Sequence, residues 1–211
     1  MRLACASDGH WLIEKVKDFP EADVFIYAGD WSGVGNGNES YKFAYWVKGL
    51  PYRYKLVVPG NHERWVETYP AWMEDMLRES GAELLIDKES VIDGVKFYGT
   101  PWTPEFGRWA FMRKYRQMTE LLKNVPADTD VLITHGQPYE VCDPGKFGSR
   151  AIKDLLNRVQ PKVHIFGHAH EGHGYEKYNN THCYNVSLCS PSTPEYDNTY
   201  KLIHPITVID I

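Results

Sequence analysis

Five short polar segments of this sequence carry side chains that bind metal ions or move protons: Asp8-Gly9-His10, Gly29-Asp30, Gly60-Asn61-His62-Glu63, His135-Gly136 and Gly167-His168-Ala169-His170. Asp8, His10, Asp30, Asn61, His135, His168 and His170 together offer two carboxylates, one amide oxygen and several imidazoles, with no thiolate. Such donors suit Mn²⁺ foremost, with Fe²⁺, Co²⁺, Ni²⁺ or Zn²⁺ as alternatives. A catalytic ion commonly takes three or four protein ligands and keeps a position for water, so this set is too large for one ion and implies two divalent ions. A pair roughly 3.5 to 4 Å apart can share a carboxylate and a bridging hydroxide, and can clamp the attacking and leaving oxygens of phosphoryl transfer. Asp30 is the expected bridge. Each segment alone is ordinary turn chemistry; their conjunction in this order is what points to a metal site. The remaining histidines, His164, His173, His182 and His204, fit no ligand pattern and are expected to be structural or at the surface.

The segments follow short apolar runs at Leu3 to Ala6, Val24 to Ala28, Lys55 to Val58, Val131 to Thr134 and Val163 to Phe166, which read as buried strands. Helices are expected over Trp11 to Phe19, Glu39 to Leu50, Arg64 to Ser80 with a break near Pro70, Arg108 to Lys123, and Ser149 to Val159. Alternating strands and helices argue α/β, where a site forms outside the carboxyl ends of the strands. Asp93-Gly94 lies between β-rich runs as a type I′ hairpin signal, and further strands are expected near Tyr184 to Ser187 and Ile206 to Ile211. The expected fold is a four-layer α/β/β/α sandwich of two mixed sheets flanked by helices.

The chain has 211 residues, 43% hydrophobic, and no linker-like tract, so one domain over 1–211 is expected. A net charge of −5 disfavours extended nucleic acid as a partner. No run approaches the roughly 20 apolar residues of a membrane span, and the N-terminus lacks a signal-peptide core. A soluble, cytoplasmic protein without a membrane partner is expected, with Cys5, Cys142, Cys183 and Cys189 as free thiols. No oligomeric state is implied.

The complete set D-x-H, G-D, G-N-H-E, H and G-H-x-H resembles the calcineurin-like metallophosphoesterases over nearly the whole chain. The resemblance implies Asp8, His10, Asp30 and His170 on one metal, and Asp30, Asn61, His135 and His168 on the other. It leaves His62 unligated, with Asn61, to meet the scissile phosphate, and makes His62 the catalytic acid or transition-state stabiliser. Trp31-Ser32-Gly33 replaces the Arg-bearing segment of protein Ser/Thr phosphatases, and Gly33 and His10 disfavour purple acid phosphatases. The segments 50–63, 94–111, 134–138 and 161–175 are similar instead to the metallophosphoesterase-domain-containing (MPPED) group, akin in chemistry to class III cyclic nucleotide phosphodiesterases. Some members replace the first His of G-H-x-H by Gly; His168 is present here.

The expected reaction is hydrolysis of small phosphodiesters or nucleotides, cyclic nucleotides foremost, by metal-bridging hydroxide. The alternatives are a phosphomonoesterase, or a scaffold that binds through the metal-site face. Pro101 to Trp109 forms an aromatic, proline-stiffened loop in which Trp102 is a candidate either to stack on a base or to pack in the core, whereas Trp109 and Phe111 are expected to pack in the core. Arg108, Arg113 and Arg150 are candidates to neutralise phosphate, against the commoner reading of a solvated helix face.

Overall fold

β-Branched runs too short for a stable helix find partners for their backbone groups in a sheet, and the computed structural model, which describes residues 1–191 and 199–211, pairs them accordingly. The first half runs β1 (Arg2–Ala6), β2 (Val24–Ala28), α1 (Gly37–Lys48), β3 (Tyr54–Val58), α2 (Arg64–Thr68), α3 (Pro70–Glu79) and β4 (Glu83–Leu84). It continues through β5 (Lys88–Ile92), β6 (Val95–Thr100), β7 (Thr103–Pro104), β8 (Met112–Arg113) and α4 (Tyr115–Leu122). β9 (Val131–Thr134), α5 (Arg150–Val159), β10 (Val163–Phe166), β11 (Gly174–Tyr178), β12 (Thr181–Asn185) and β13 (Thr207–Asp210) complete it.

One sheet has the order β13-β1-β2-β3-β4 and the other β11-β12-β10-β9-β6-β5. Both are mixed: β1 to β4 are parallel with β13 antiparallel at the edge, and β6, β9, β10 and β12 are parallel between antiparallel β5 and β11. Alternate residues such as Leu3, Ile26 and Leu56 pack with Phe97, Ile133 and Ile165 of the other sheet. Residues of the opposite parity, including Phe25, Tyr27 and Leu132, join the buried faces of the helices. Two sheets face to face with helices outside give the expected four layers.

Asp93 and Gly94 both take positive φ, 48° and 82°, and turn β5 into β6 as the dipeptide foretells. Pro70 divides α2 from α3, as expected. Two helix expectations fail. In place of a helix over Trp11 to Phe19 there is a 3-10 turn at His10–Lys15, with only His10, Leu12 and Ile13 buried and Pro20 restricting Phe19. In place of a helix from Arg108, Phe111 takes φ 52°, and Met112–Arg113 pairs with Thr103–Pro104, so α4 begins only at Tyr115. Among the described residues no helix is long and apolar enough to cross a membrane.

The carboxyl ends of β1, β2, β3, β9 and β10 lie along one rim, and backbone hydrogen bonds tie their loops together. Asp8 N donates to Gly29 O at 2.9 Å, His10 N to Asp30 O at 2.9 Å, and Gly167 N to His135 O at 3.0 Å. Ser7 N to Val186 O and Leu188 N to Ser7 O, at 3.1 and 2.9 Å, join the two sheets there. Gly29, at φ 94°, sits so close that a Cβ would overlap the His135 ring and lie 2.8 Å from Gly60 N.

Gly29→Ala is therefore expected to cost about 2 to 5 kcal/mol, from a strained φ plus overpacking. At Gly94 no atom lies within 4 Å of a built Cβ, so Gly94→Ala should lose only the conformational part, about 1 to 2 kcal/mol. Denaturant unfolding in chelator measures both, and equal losses would contradict the crowding at Gly29.

Candidate metal centre

Three groups of ligating atoms converge on this rim: Asp8, His10 and His170; His10, Asp30 and His62; and Asp30, His135 and His168, each group within 4.8 Å. Asp30 belongs to two groups and links the halves. Asn61 Oδ1 lies 3.0 Å from His135 Nε2, which adds the amide oxygen on that side. All seven side chains that the sequence marks as ligands are thus brought together, with His62 beside them.

The surrounding bonds aim them. Nδ1–H donates to a backbone carbonyl in His10 (Ser32 O, 3.1 Å), His62 (Gly33 O, 2.6 Å), His135 (Ala28 O, 2.8 Å) and His170 (Ser190 O, 2.9 Å). A carbonyl only accepts, so each ring turns Nε2 inward, the arrangement that orients metal-binding imidazoles. Asp8 Oδ2 accepts from Ser7 Oγ and Ser187 Oγ, both at 2.6 Å, and from His168 N at 3.0 Å, leaving Oδ1 at 3.4 Å from His170 Nε2. Asp30 Oδ1 accepts from His62 N at 2.8 Å, while Oδ2 lies 3.2 Å from His135 Nε2.

This geometry fits divalent cations on its own chemistry. His10 Nε2 and His170 Nε2 face each other at 3.3 Å, where two lone pairs repel unless a proton or a cation lies between them. Burial opposes ionisation of Asp8 and Asp30, yet the charges of His170 and His135 hold both carboxyls below their ordinary range. Burial also pushes His10 and His168 down to about 4; at His135 burial acts the same way, but Asp30 and Asp8 overcome it and raise the imidazole to about 10. Two buried carboxylates thus draw positive charge into a site whose cleft has no Lys or Arg among the described residues of its lining. Asp8, His10, Asp30 and His168 also sit at φ 53°, 44°, 58° and 69°, left-handed conformations that L residues avoid and that concentrate at functional sites.

The cleft measures about 280 Å³ and is lined by His10, Asp30, Asn61, His62, Phe106, Trp109, His168, His170, Glu171, Pro191 and Tyr200. Trp102 is absent from it. Its indole is 9% exposed, donates Nε1–H to both carboxylate oxygens of Asp87 (3.0 and 2.8 Å), and packs against Phe111 and the Arg113 guanidinium. Of the two readings of Trp102, stacking on substrate is therefore set aside in favour of core packing. Trp109, expected in the core, instead lies over His62 with ring centroids 4.4 Å apart. The left-handed turn at Phe111 and the bond from Ala110 N to Asn61 O, 2.9 Å, put it there. Arg113 and Arg150 line a neighbouring groove, and Arg108 lines neither.

His164, His173, His182 and His204 all lie outside the cleft lining, as expected. His164 is buried beside Thr134 Oγ1 at 2.8 Å, His173 stacks on His204, and His182 meets Tyr175 Oη at 2.9 Å. All four cysteines are free. Sequence reasoning assigned nothing to Glu63, Ser7, Ser187, Glu171 or Tyr200. Only Glu63 had a signal, its place in the G-N-H-E segment. Tyr200 stacks on the His10 ring at 4.1 Å, a pairing across 190 residues that no local pattern marks.

The family model of the calcineurin-like phosphoesterases matches residues 1–172. Metallophosphoesterase domain-containing protein 1 of Homo sapiens is 32% identical, over 100% of this chain and 71% of that protein. UPF0046 protein K07C11.7 of Caenorhabditis elegans is 35% identical, over 90% of this chain and 70% of that protein. Among solved structures, TT1561 of Thermus thermophilus shares the fold with a TM-score of 0.65 at 14% identity, covering 87% of this chain and 88% of that one. A novel archaeal phosphodiesterase has a TM-score of 0.50 at 14% identity, with 96% and 99% covered.

Titration with Mn²⁺ is expected to load about two ions per chain, and Asp30→Ala to weaken both, because Asp30 is the carboxylate assigned to both ions. Asp8→Ala should spare the site of Asn61, His135 and His168. Loading must displace the protons that the carboxylates hold on His135 and His170, so affinity should fall as the pH is lowered. Elemental analysis and calorimetry check this; saturation at one ion, or an Asp30→Ala protein keeping two at unchanged affinity, would contradict it.

Proposed function

Given that this chain belongs to the calcineurin-like phosphoesterase family, we propose that it hydrolyses small phosphodiesters, cyclic nucleotides foremost, using two divalent ions with Mn²⁺ preferred. The observation that carries the reading is Asp30, common to two clusters of inward-facing donors, with His62 Nε2 at 3.8 Å from its Oδ2. Asp8, His10, Asp30 and His170 would hold one ion, and Asp30, Asn61, His135 and His168 the other. Bound there, divalent ions supply Lewis-acid chemistry, activating water and neutralising phosphate oxygens.

The protein's own groups do the rest. The His62 Nδ1–H is committed to Gly33 O, so an imidazolium at this position carries its second proton on Nε2, directed into the cleft, and can pass it to a leaving oxygen. Asn61 lies beside it for a phosphate oxygen. The lining supports diesters over monoesters: its described residues offer no Lys or Arg to a second negative charge, and Glu171 adds a carboxylate. Phe106, 60% exposed at the rim, offers a ring on which a nucleobase can stack, a contact worth roughly 1 to 3 kcal/mol. The cytoplasm is the compartment we assign, supported by the four free thiols.

With Mn²⁺, bis-p-nitrophenyl phosphate should be hydrolysed with a higher kcat/KM than p-nitrophenyl phosphate. Inactivity on the diester with Mn²⁺, Co²⁺ and Ni²⁺ would overturn the reading, and the reverse preference would make the protein a monoesterase. His62→Ala should lower kcat on alkyl esters by roughly 10²-fold or more with metal content retained.

Glu171→Gln is expected to narrow the diester-to-monoester ratio of kcat/KM by roughly two- to fivefold, the size of one solvent-screened charge. Steady-state kinetics on the same two esters measures it. An unchanged ratio would remove Glu171 from substrate selection.

A further inference from the structure

We infer that Trp109 is a positioning residue for His62: its indole holds the imidazole in the orientation that directs Nε2 at a leaving group. The inference rests on the reading of the cleft as a phosphoesterase site. His62 has one strong tether, the Nδ1–H bond to Gly33 O at 2.6 Å, and a single bond at one ring atom leaves the ring plane free to swing. Trp109 removes that freedom, with its ring 4.4 Å from the imidazole and tilted only 26° from it. The His10 ring meets His62 edge-on at 4.7 Å, so the imidazole is bounded by two rings at different angles.

Trp109 is itself held. Ala110 N donates to Asn61 O at 2.9 Å, and Arg64 Nη2 donates to Arg108 O at 3.1 Å. Both bonds bind the residues flanking Trp109 to the segment that carries His62. The Arg64 guanidinium also packs over the indole at 4.6 Å, a cation–π contact. With its packing committed to His62 and Arg64, the indole serves the acid rather than a nucleobase, and Phe106 remains the ring for the base.

Mere packing and positioning predict different kinetics. If Trp109 acts through His62, Trp109→Ala should reduce kcat for an alkyl phosphodiester at least about tenfold more than for bis-p-nitrophenyl phosphate, whose leaving group barely needs a proton. KM and metal content should stay near wild type. Trp109→Phe, which keeps a stacking ring, should recover most of the loss. The His62→Ala/Trp109→Ala double variant should be no slower than His62→Ala alone.

A second readout needs neither metal nor substrate. In the metal-free protein, the His62 Hε1 NMR resonance should be displaced by the indole ring current, lose that displacement in Trp109→Ala, and keep much of it in Trp109→Phe. Equal losses on both esters, additive losses in the double variant, or an unmoved His62 resonance would each overturn the inference. Should the wild type hydrolyse neither ester, the function reading falls, and the resonance comparison still decides whether Trp109 holds the ring.

Discussion

Two strand-end loops meet on one buried carboxylate. Glu63 is fully enclosed, and its Oε2 accepts from Asp30 N at 2.8 Å and Gly60 N at 2.7 Å, while Oε1 accepts from Ser32 N at 3.0 Å and Ser32 Oγ at 2.7 Å. Four donors on two oxygens fix the loop after β2 against the loop after β3. Everything on that side of the cleft hangs from this: the Asp30 backbone is set by it, Ser32 O in turn receives His10, and Gly33 O receives His62. Burial and the charge of Asp30 push the Glu63 carboxyl up to about 7, against the pull of its hydrogen bonds, so the anchor is held under electrostatic load. A cation beside Asp30 would relieve that load by offsetting the neighbouring negative charge.

The opposite side is built from hydroxyls. Ser7 follows β1 of one sheet and Ser187 follows β12 of the other, and both donate to Asp8 Oδ2, so one carboxylate bridges the sandwich at its rim. Strain accumulates at these points, with four of the ligand-type residues in left-handed backbone. Each such residue costs of order 1 to 2 kcal/mol, and the sheet packing beneath the rim has to sustain them. The inter-sheet core of Leu3, Ile26, Phe97, Ile133 and Ile165 supplies the rigid base on which strained loops keep their shape. Stability invested in the strands is thereby converted into fixed ligand directions.

Aromatic residues divide between two tasks. Trp31, Tyr27 and Phe43 stack within the core beneath the first sheet, as their burial demands. Trp109, Tyr200 and Phe106 stand over His62, His10 and His168, so the imidazoles of the cleft lie under a partial aromatic roof. Rings of this kind exclude water from one face of an imidazole and fix its plane, without competing for its nitrogens.

The sequence by itself determined the strands, their polar carboxyl ends and the identity of seven inward-facing donors, because each is written in a few adjacent residues. A short β-branched run followed by Gly and a ligand-type residue has one low-energy solution in a buried sheet, and D-G between two such runs has one turn. Tertiary structure alone decided which aromatics face the cleft. Trp102 and Trp109 occupy the same loop and look alike in sequence; Asp87 claims the first, and a bond to Asn61 delivers the second to His62. It also decided that residues 108–114 leave the helix that their composition favours, since pairing with Thr103–Pro104 satisfies backbone groups there that a helix would otherwise use. Glu63 and Tyr200 stayed silent for the same reason: their roles are set by partners brought near by the fold, and local propensity carries no information about contacts that only the packed sheets create.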